Sequence, residues 1–378
     1  RHGTVVRRAK RARTMGGVTA RLDDLPLRDD LRGMTPYGAP QAPLSVTLNV
    51  NENTHPVPDE VAADILDAIA LALRDVNRYP DREFLPLREA FADYLGEGLL
   101  PEQMWAANGS NEVLQHVLQA FAGPGRTAFG FAPTYSMYPL LTRATGAAWV
   151  AGSREDDFSV TADSAADQVA AADPDVVFLC APNNPTGTPL PLDVIAAVYD
   201  ASRAMVVVDE AYQEFAPHDE PSAITLLPGR ERLIVSRTMS KAFAFAGARV
   251  GYLAADPAVV DALRLVRLPY HLSAITQAAA LAALRHAPVM LGMVDEIVAQ
   301  RDRISATLEA LGYQPHPSWT NFVLFGGVQD PAATFGALYD RGILIRDVGI
   351  PHHLRVTAGT EAETSAFLDA LASLGSTS

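Results

Sequence analysis

Short unbroken apolar runs alternate along this chain with stretches that repeat every three to four residues. Val61, Ile65, Ile69 and Leu73 recur at helical spacing while Asp64 and Asp67 fall off that face, which predicts a helix over residues 61–73. Residues 87–95 predict another helix, and residues 111–121 a third, starting after a Gly-Ser-Asn turn. Val176-Val177-Phe178-Leu179, Met205-Val206-Val207-Val208 and Leu233-Ile234-Val235 are continuous apolar runs. Strands buried on both faces of a parallel sheet read this way. Strands alternating with helices imply βαβ units and a doubly wound α/β domain. Past residue 265 the pattern changes. One long helical stretch over 273–311 leads to short strands at 321–325, 343–345 and 354–357, then to a helix over 364–374. The expected organisation is a large α/β domain over 56–270 with a mostly parallel sheet between helices. A smaller α+β domain over 271–378 joins an N-terminal arm over 16–55.

Composition narrows the function classes. The 378 residues carry a net charge of −14, which argues against a nucleic-acid surface and against anionic membranes. No apolar stretch is long enough to span a bilayer. The single cysteine, Cys180, excludes an intrachain disulfide, fits a cytoplasmic protein, and sits in an apolar run as a small buried hydrophobe. The first fourteen residues hold Arg1, Arg7, Arg8, Lys10, Arg11 and Arg13 and no acid, so residues 1–15 are expected to be a disordered basic leader.

The polar residues of interest follow the apolar runs, where open α/β sheets bind ligands. The run at 176–179 leads into Pro182-Asn183-Asn184-Pro185-Thr186-Gly187, a loop that presents the Asn184 amide or is simply a tight turn. The next ends in Asp209-Glu210-Ala211-Tyr212. Asp209 suits a protonated ring nitrogen as partner, or a helix N-cap, and Tyr212 a ring oxygen, or a half-buried site with a wet hydroxyl. The third leads to Thr238-Met239-Ser240-Lys241, with Arg249 eight residues on. An amine there suits a Schiff base with a carbonyl cofactor, and hydroxyls with a guanidinium suit a phosphate. A plain surface lysine fits the segment when it is taken by itself. Asn108-Gly109-Ser110-Asn111 opens a helix, which suits phosphate or a capped turn. Tyr79 and Tyr135 lie in loops fixed by proline, and Arg346 and Arg355 lie on strands, where they hold a ligand anion or a surface salt bridge.

Taken in order, N-R-Y-P-D, G-S-N-E, P-T-Y-S-M-Y, P-N-N-P-T-G, V-D-E-A-Y, S-R-T-M-S-K-A-F-A-F-A-G-A-R, G-I-L-I-R-D and L-R-V-T-A-G-T resemble the fold-type I aminotransferases dependent on pyridoxal 5′-phosphate, and within them the histidinol-phosphate subgroup. The similarity runs from Leu22 to Leu374, and Pro36-Tyr37 and the stretch from Asn49 to Asn53 share it. The resemblance implies that Lys241 carries the cofactor and shuttles a proton, Asp209 pairs with its ring nitrogen, and Asn184 and Tyr212 bond its ring oxygen. It implies that Tyr135 stacks on the ring and that Ser110, Asn111, Thr238, Ser240 and Arg249 bind its phosphate. Tyr79 would reach the phosphate of a neighbouring subunit in a homodimer. Arg355 would take the α-carboxylate of glutamate or 2-oxoglutarate, and Tyr37, Asn53 and Arg346 would complete the pocket for histidinol phosphate. An aromatic amino-acid transaminase is the alternative. A cofactor-bound transcription regulator would need a DNA-binding domain and a basic surface. Trp319, His352, His353 and Gln213 depart from the family pattern and bear on pocket shape.

Overall fold

The computed structural model describes residues 20–375; the expected basic leader lies outside them. Residues 20–38 form one compact unit with 3₁₀ turns at Leu22–Asp24 and Asp29–Leu31, where Arg32 donates to Leu27 O. Residues from 39 onward form the other unit.

That second unit holds strands β1 (Val46–Thr47), β2 (Met104–Ala107), β3 (Thr127–Ala132), β4 (Ala148–Ser153), β5 (Val176–Cys180), β6 (Met205–Asp209), β7 (Leu233–Thr238) and β8 (Gly251–Ala255). After them come β9 (Gln314–Pro315), β10 (Phe322–Gly326), β11 (Ile343–Leu344) and β12 (Leu354–Thr357). Its helices are α1 (Asp59–Ala72), α2 (Leu85–Leu95), α3 (Ser110–Phe121), α4 (Met137–Ala144), α5 (Ala162–Ala172) and α6 (Leu192–Ala201). They continue with α7 (Pro257–Val266), α8 (Ala274–Arg285), α9 (Ala287–Ala310), α10 (Pro331–Tyr339) and α11 (Glu361–Gly375).

A seven-stranded sheet of order β2-β8-β7-β6-β5-β3-β4 forms the centre, and only β8 runs antiparallel to its neighbours. Val206, Val207 and Val208 are fully buried, as a strand covered on both faces requires. Each such side chain contributes about 1.5–3 kcal/mol on leaving water. The register sets Cys180 beside Asp209 and Asp209 beside Ser236, so β5 and β6 finish level and β7 runs two residues further. The loops carrying Asn184, Tyr212 and Lys241 therefore emerge together.

A second sheet of order β12-β10-β9 is antiparallel, and β1 pairs with β11. The chain leaving β1 stays bonded to this part of the fold, with Leu48 donating to Leu344 O and Thr357 donating to Leu48 O. The helical stretch expected over 273–311 is two helices. His286 separates α8 from α9, and Pro288 falls within the first two positions of α9, where proline suits a helix start.

Candidate active site

Asp209 closes β6 and is 2% exposed. Tyr138, on the first turn of α4, donates its hydroxyl to Asp209 Oδ2 across 2.9 Å, and Ser236 of β7 donates to Oδ1 across 3.1 Å. Burial pushes the carboxyl up to about 6, while these two donors hold it down. Beside it, Arg237 pairs with Glu210 at 2.8 Å and Glu214 at 3.1 Å, a buried ion network that fixes β7 against the chain leaving β6.

Tyr212 is buried, with its hydroxyl oxygen accepting from Asn184 Nδ2 at 3.3 Å and from Asn51 Nδ2 at 2.9 Å. Arg355 donates to Asn184 Oδ1 at 2.6 Å and to Asn49 O at 3.0 Å, and its guanidinium lies 4.9 Å from the Phe322 ring centre. Arg346 pairs with Arg355 through the backbone.

Lys241 sits in the tight turn after β7, where Ala244 donates to Lys241 O. Its Nζ donates to Val50 O at 3.2 Å and lies 5.9 Å from the centre of the Tyr212 ring. Burial first, then the nearby Arg355 and Arg249 guanidinium groups, lower the ammonium to about 8 against the opposing Glu52.

An anion cradle stands beside this amine. Gly109 precedes α3 with φ +86°, and its missing Cβ leaves the space that the Arg249 guanidinium fills. Gly251 likewise lets β8 pass against the backbone of Ser110. The start of a twelve-residue helix, where the first N–H groups lack intrahelical partners, thus lies close to a guanidinium. Arg249 also approaches Ser240 Oγ at 3.5 Å, and Ser240 accepts from Thr238 Oγ1 at 3.0 Å. Tyr135 donates to Asn111 Oδ1 at 3.2 Å and meets Tyr138 edge to face.

An amine of lowered basicity, a buried carboxylate and a cradle for a dianion suit a phosphorylated aromatic aldehyde, and these residues fit pyridoxal 5′-phosphate. The described residues contain no group of three His, Cys, Asp or Glu placed to hold a metal ion. Residues 45–371 match the family model for aminotransferase class I and II. This chain belongs to the class I and II aminotransferases. The aminotransferase is 63% identical to a histidinol-phosphate aminotransferase of Paenarthrobacter aurescens, over 95% of this chain and 98% of that one. It is 55% identical to one of Thermobifida fusca, over 93% and 95% of the two chains. Among solved structures it resembles histidinol-phosphate aminotransferase from Sinorhizobium meliloti in complex with pyridoxal-5′-phosphate, with a TM-score of 0.78 and 27% identity over 88% of this chain and 91% of that one. Dependence on pyridoxal 5′-phosphate comes with this family.

Not every residue singled out from the sequence of this aminotransferase joins the cluster. Tyr79 is 80% exposed and stacks on Tyr270 at 4.4 Å. Asn53 spends its side chain locally, donating to Ala242 O and accepting from the His55 backbone. Tyr37 belongs to the unit of residues 20–38 and is 53% exposed. The departures from the family pattern are tied down in the fold. Trp319 donates its backbone N–H to Gly187 O, His352 bonds Val328 O, and His353 pairs with His316 at 3.0 Å. Sequence reasoning missed Tyr138, Ser236 and Asn51 as members of the site. Tyr138 ended a quoted motif from which Tyr135 was chosen, and Asn51 lay two positions from Asn53, the residue chosen from its motif.

Proposed function

We propose that the aminotransferase exchanges an amino group between L-histidinol phosphate and 2-oxoglutarate, giving imidazole-acetol phosphate and L-glutamate, within L-histidine biosynthesis. The observation that carries this reading is the 63% identity, over nearly the whole of both chains, to a relative named for that activity. Bound pyridoxal 5′-phosphate supplies a carbonyl that condenses with amines and a ring that takes up the electron pair left when Cα–H is broken.

The residues divide the remaining work. Lys241 would carry the cofactor and would take and return the substrate's proton at Nζ. Its lowered basicity leaves part of the population as free amine near neutrality. Asp209 keeps a negative charge in a buried position, the partner a protonated ring nitrogen requires. Tyr212 and Asn184 would offer a hydroxyl and an amide to the ring oxygen, and Tyr135 would stack on the ring. Ser110, Asn111, Thr238, Ser240 and Arg249 would hold the cofactor phosphate and so keep the cofactor in place. Arg355 takes the α-carboxylate of glutamate and, in the other half-reaction, the substrate phosphate; a planar fork serves both anions. Arg346, paired with Arg355 through the backbone, would sit on the substrate side of the same unit.

The working form in this reading is a cytoplasmic homodimer, with Tyr79 reaching the neighbouring cofactor phosphate. Leu66 and Leu71 on α1, Leu73 just past it, Leu265 in the last turn of α7, Leu268 beyond it, and Tyr79 are exposed at 49–86%, apolar surface that suits a partner subunit. In this reading the large domain over 56–270 carries the cofactor residues. No helix among the described residues is long and apolar enough to cross a membrane. Comparing kcat/KM for histidinol phosphate with that for phenylalanine and tyrosine tests the substrate. Histidinol phosphate is expected to lead; preference for the aromatic amino acids would overturn the assignment.

A further inference from the structure

Three consecutive residues after β1 each hold a different member of the site. Asn49 O accepts from Arg355, Val50 O accepts from Lys241, and Asn51 Nδ2 donates to the Tyr212 hydroxyl. The orientation of the Asn51 amide follows from its neighbours. Thr357 Oγ1 accepts the Asn51 backbone N–H at 3.1 Å, so its hydroxyl hydrogen is free to donate to Asn51 Oδ1 at 3.2 Å. The amide nitrogen therefore faces Tyr212. The Asn184 amide is fixed in the same way, because its Oδ1 accepts from the Arg355 guanidinium. Both groups on the Tyr212 oxygen are thus N–H donors, and a phenol oxygen has two lone pairs. The one hydrogen left on Tyr212 points to a third direction as a donor. Asn51 is 2% exposed and has φ +58°, a left-handed backbone that asparagine tolerates well. Asn321 Nδ2 donates to Asn51 O at 3.0 Å and fastens that backbone to β10.

We propose that Asn51 is a positioning residue that, with Asn184, fills the lone pairs of Tyr212 and commits its hydroxyl to donate to the ring oxygen of the bound cofactor. The proposal rests on the reading that Tyr212 faces that oxygen. Donation to the oxygen stabilises its anionic form, so the bound cofactor releases its titrating proton more easily. Loss of Asn51 weakens and disorients the donor, and the proton is held to higher pH.

The test is the pH midpoint of the bound cofactor's visible absorbance, measured in a double-mutant cycle. Asn51→Gly removes the amide and suits the positive φ. Asn51→Asp keeps the shape and the acceptor for Thr357 but lacks the N–H, and serves if the glycine variant unfolds. Tyr212→Phe is expected to raise the midpoint by about one pH unit or more, and each Asn51 variant to raise it by about half a unit. In the Tyr212→Phe background the Asn51 variants are expected to add nothing, whereas a general loss of structure or an added charge would act there too. Unchanged midpoints in the Asn51 variants beside a shifted Tyr212→Phe overturn the role of Asn51 alone. An unchanged midpoint in Tyr212→Phe overturns the underlying assignment of Tyr212, and the proposal with it. Equal shifts with and without Tyr212 also overturn the proposal.

Discussion

Tyr138 and Asp209 lie 71 residues apart, and the hydroxyl of one donates to the carboxylate of the other across 2.9 Å inside the protein. Tyr138 is fully buried and stacks on Phe178 at 4.7 Å, so the donor has little freedom to turn away. With Ser236 on the other oxygen, the carboxylate is held from two sides, and one charge is kept where burial alone would remove it.

Asp209 sets one pH dependence. Its folded-state carboxyl lies near 6, above the ordinary value of 3.8. In cofactor-free protein its contribution is therefore fully present below pH 3.8 and is lost as pH rises through about 6. Asp209→Asn is expected to gain stability over the parent across this window, by about 3 kcal/mol at most. Tyr138→Phe should move the window to higher pH. Urea denaturation at a series of pH values measures both; a flat difference between Asp209→Asn and the parent contradicts the expectation.

The Lys241 amine sets another. With its ammonium near 8, cofactor capture by cofactor-free protein should accelerate with pH through a midpoint near 8. Stopped-flow absorbance follows it, and a midpoint near the free lysine value of about 10.4 would contradict the burial argument.

Lys241→Ala should still bind cofactor while turnover falls by roughly three orders of magnitude or more, the scale of a lost acid–base group. Borohydride should fix the cofactor to Lys241 in the parent and to no residue in the variant. Peptide mass spectrometry locates the adduct, and an adduct elsewhere removes Lys241 from the role.

Gly109→Ala places a methyl group against Arg249 at a φ that L side chains resist. Strain of about 1–2 kcal/mol and a displaced guanidinium predict roughly tenfold or greater weakening for pyridoxal 5′-phosphate. Binding of unphosphorylated pyridoxal should change far less. Equal losses for both ligands would take the phosphate away from this cradle.

Mixing subunits tests Tyr79. Tyr79→Ala and Lys241→Ala protein, unfolded and refolded together, should recover about a quarter of the parent activity, because half the dimers then hold one complete site. No recovery, with mixed dimers present by native mass spectrometry, places Tyr79 in its own subunit's site or in none.

The apolar runs that became β5, β6 and β7 were legible because all their residues but Met205 are buried and they are rich in β-branched residues, which leaves no polar face to disguise them. Other strands were not. Met104–Ala107 is half alanine, and Ala148–Ser153 is an edge strand with an irregular pattern of exposure. The 273–311 stretch read as one helix because the break is the single residue His286, although Pro288 marks a new helix start just beyond it. Asn184, Asp209, Tyr212 and Lys241 were legible as a set because each follows a strand whose neighbour is next in sequence order. Tyr138 was not, since its contact to Asp209 depends on how α4 packs against the sheet.

By itself, the sequence determined the strand–loop order that delivers an amide, a carboxylate, a phenol and an amine to one sheet edge, and the motifs that carry the family. Local patterns suffice for that, because parallel strands run to the same end of the sheet. Only the tertiary structure decided which atoms meet. It turned Asn51 toward Tyr212, seated Tyr138 on Asp209 and pressed Arg249 against Gly109. Those contacts join residues up to 161 positions apart, and their geometry depends on backbone directions and side-chain packing that no local pattern encodes.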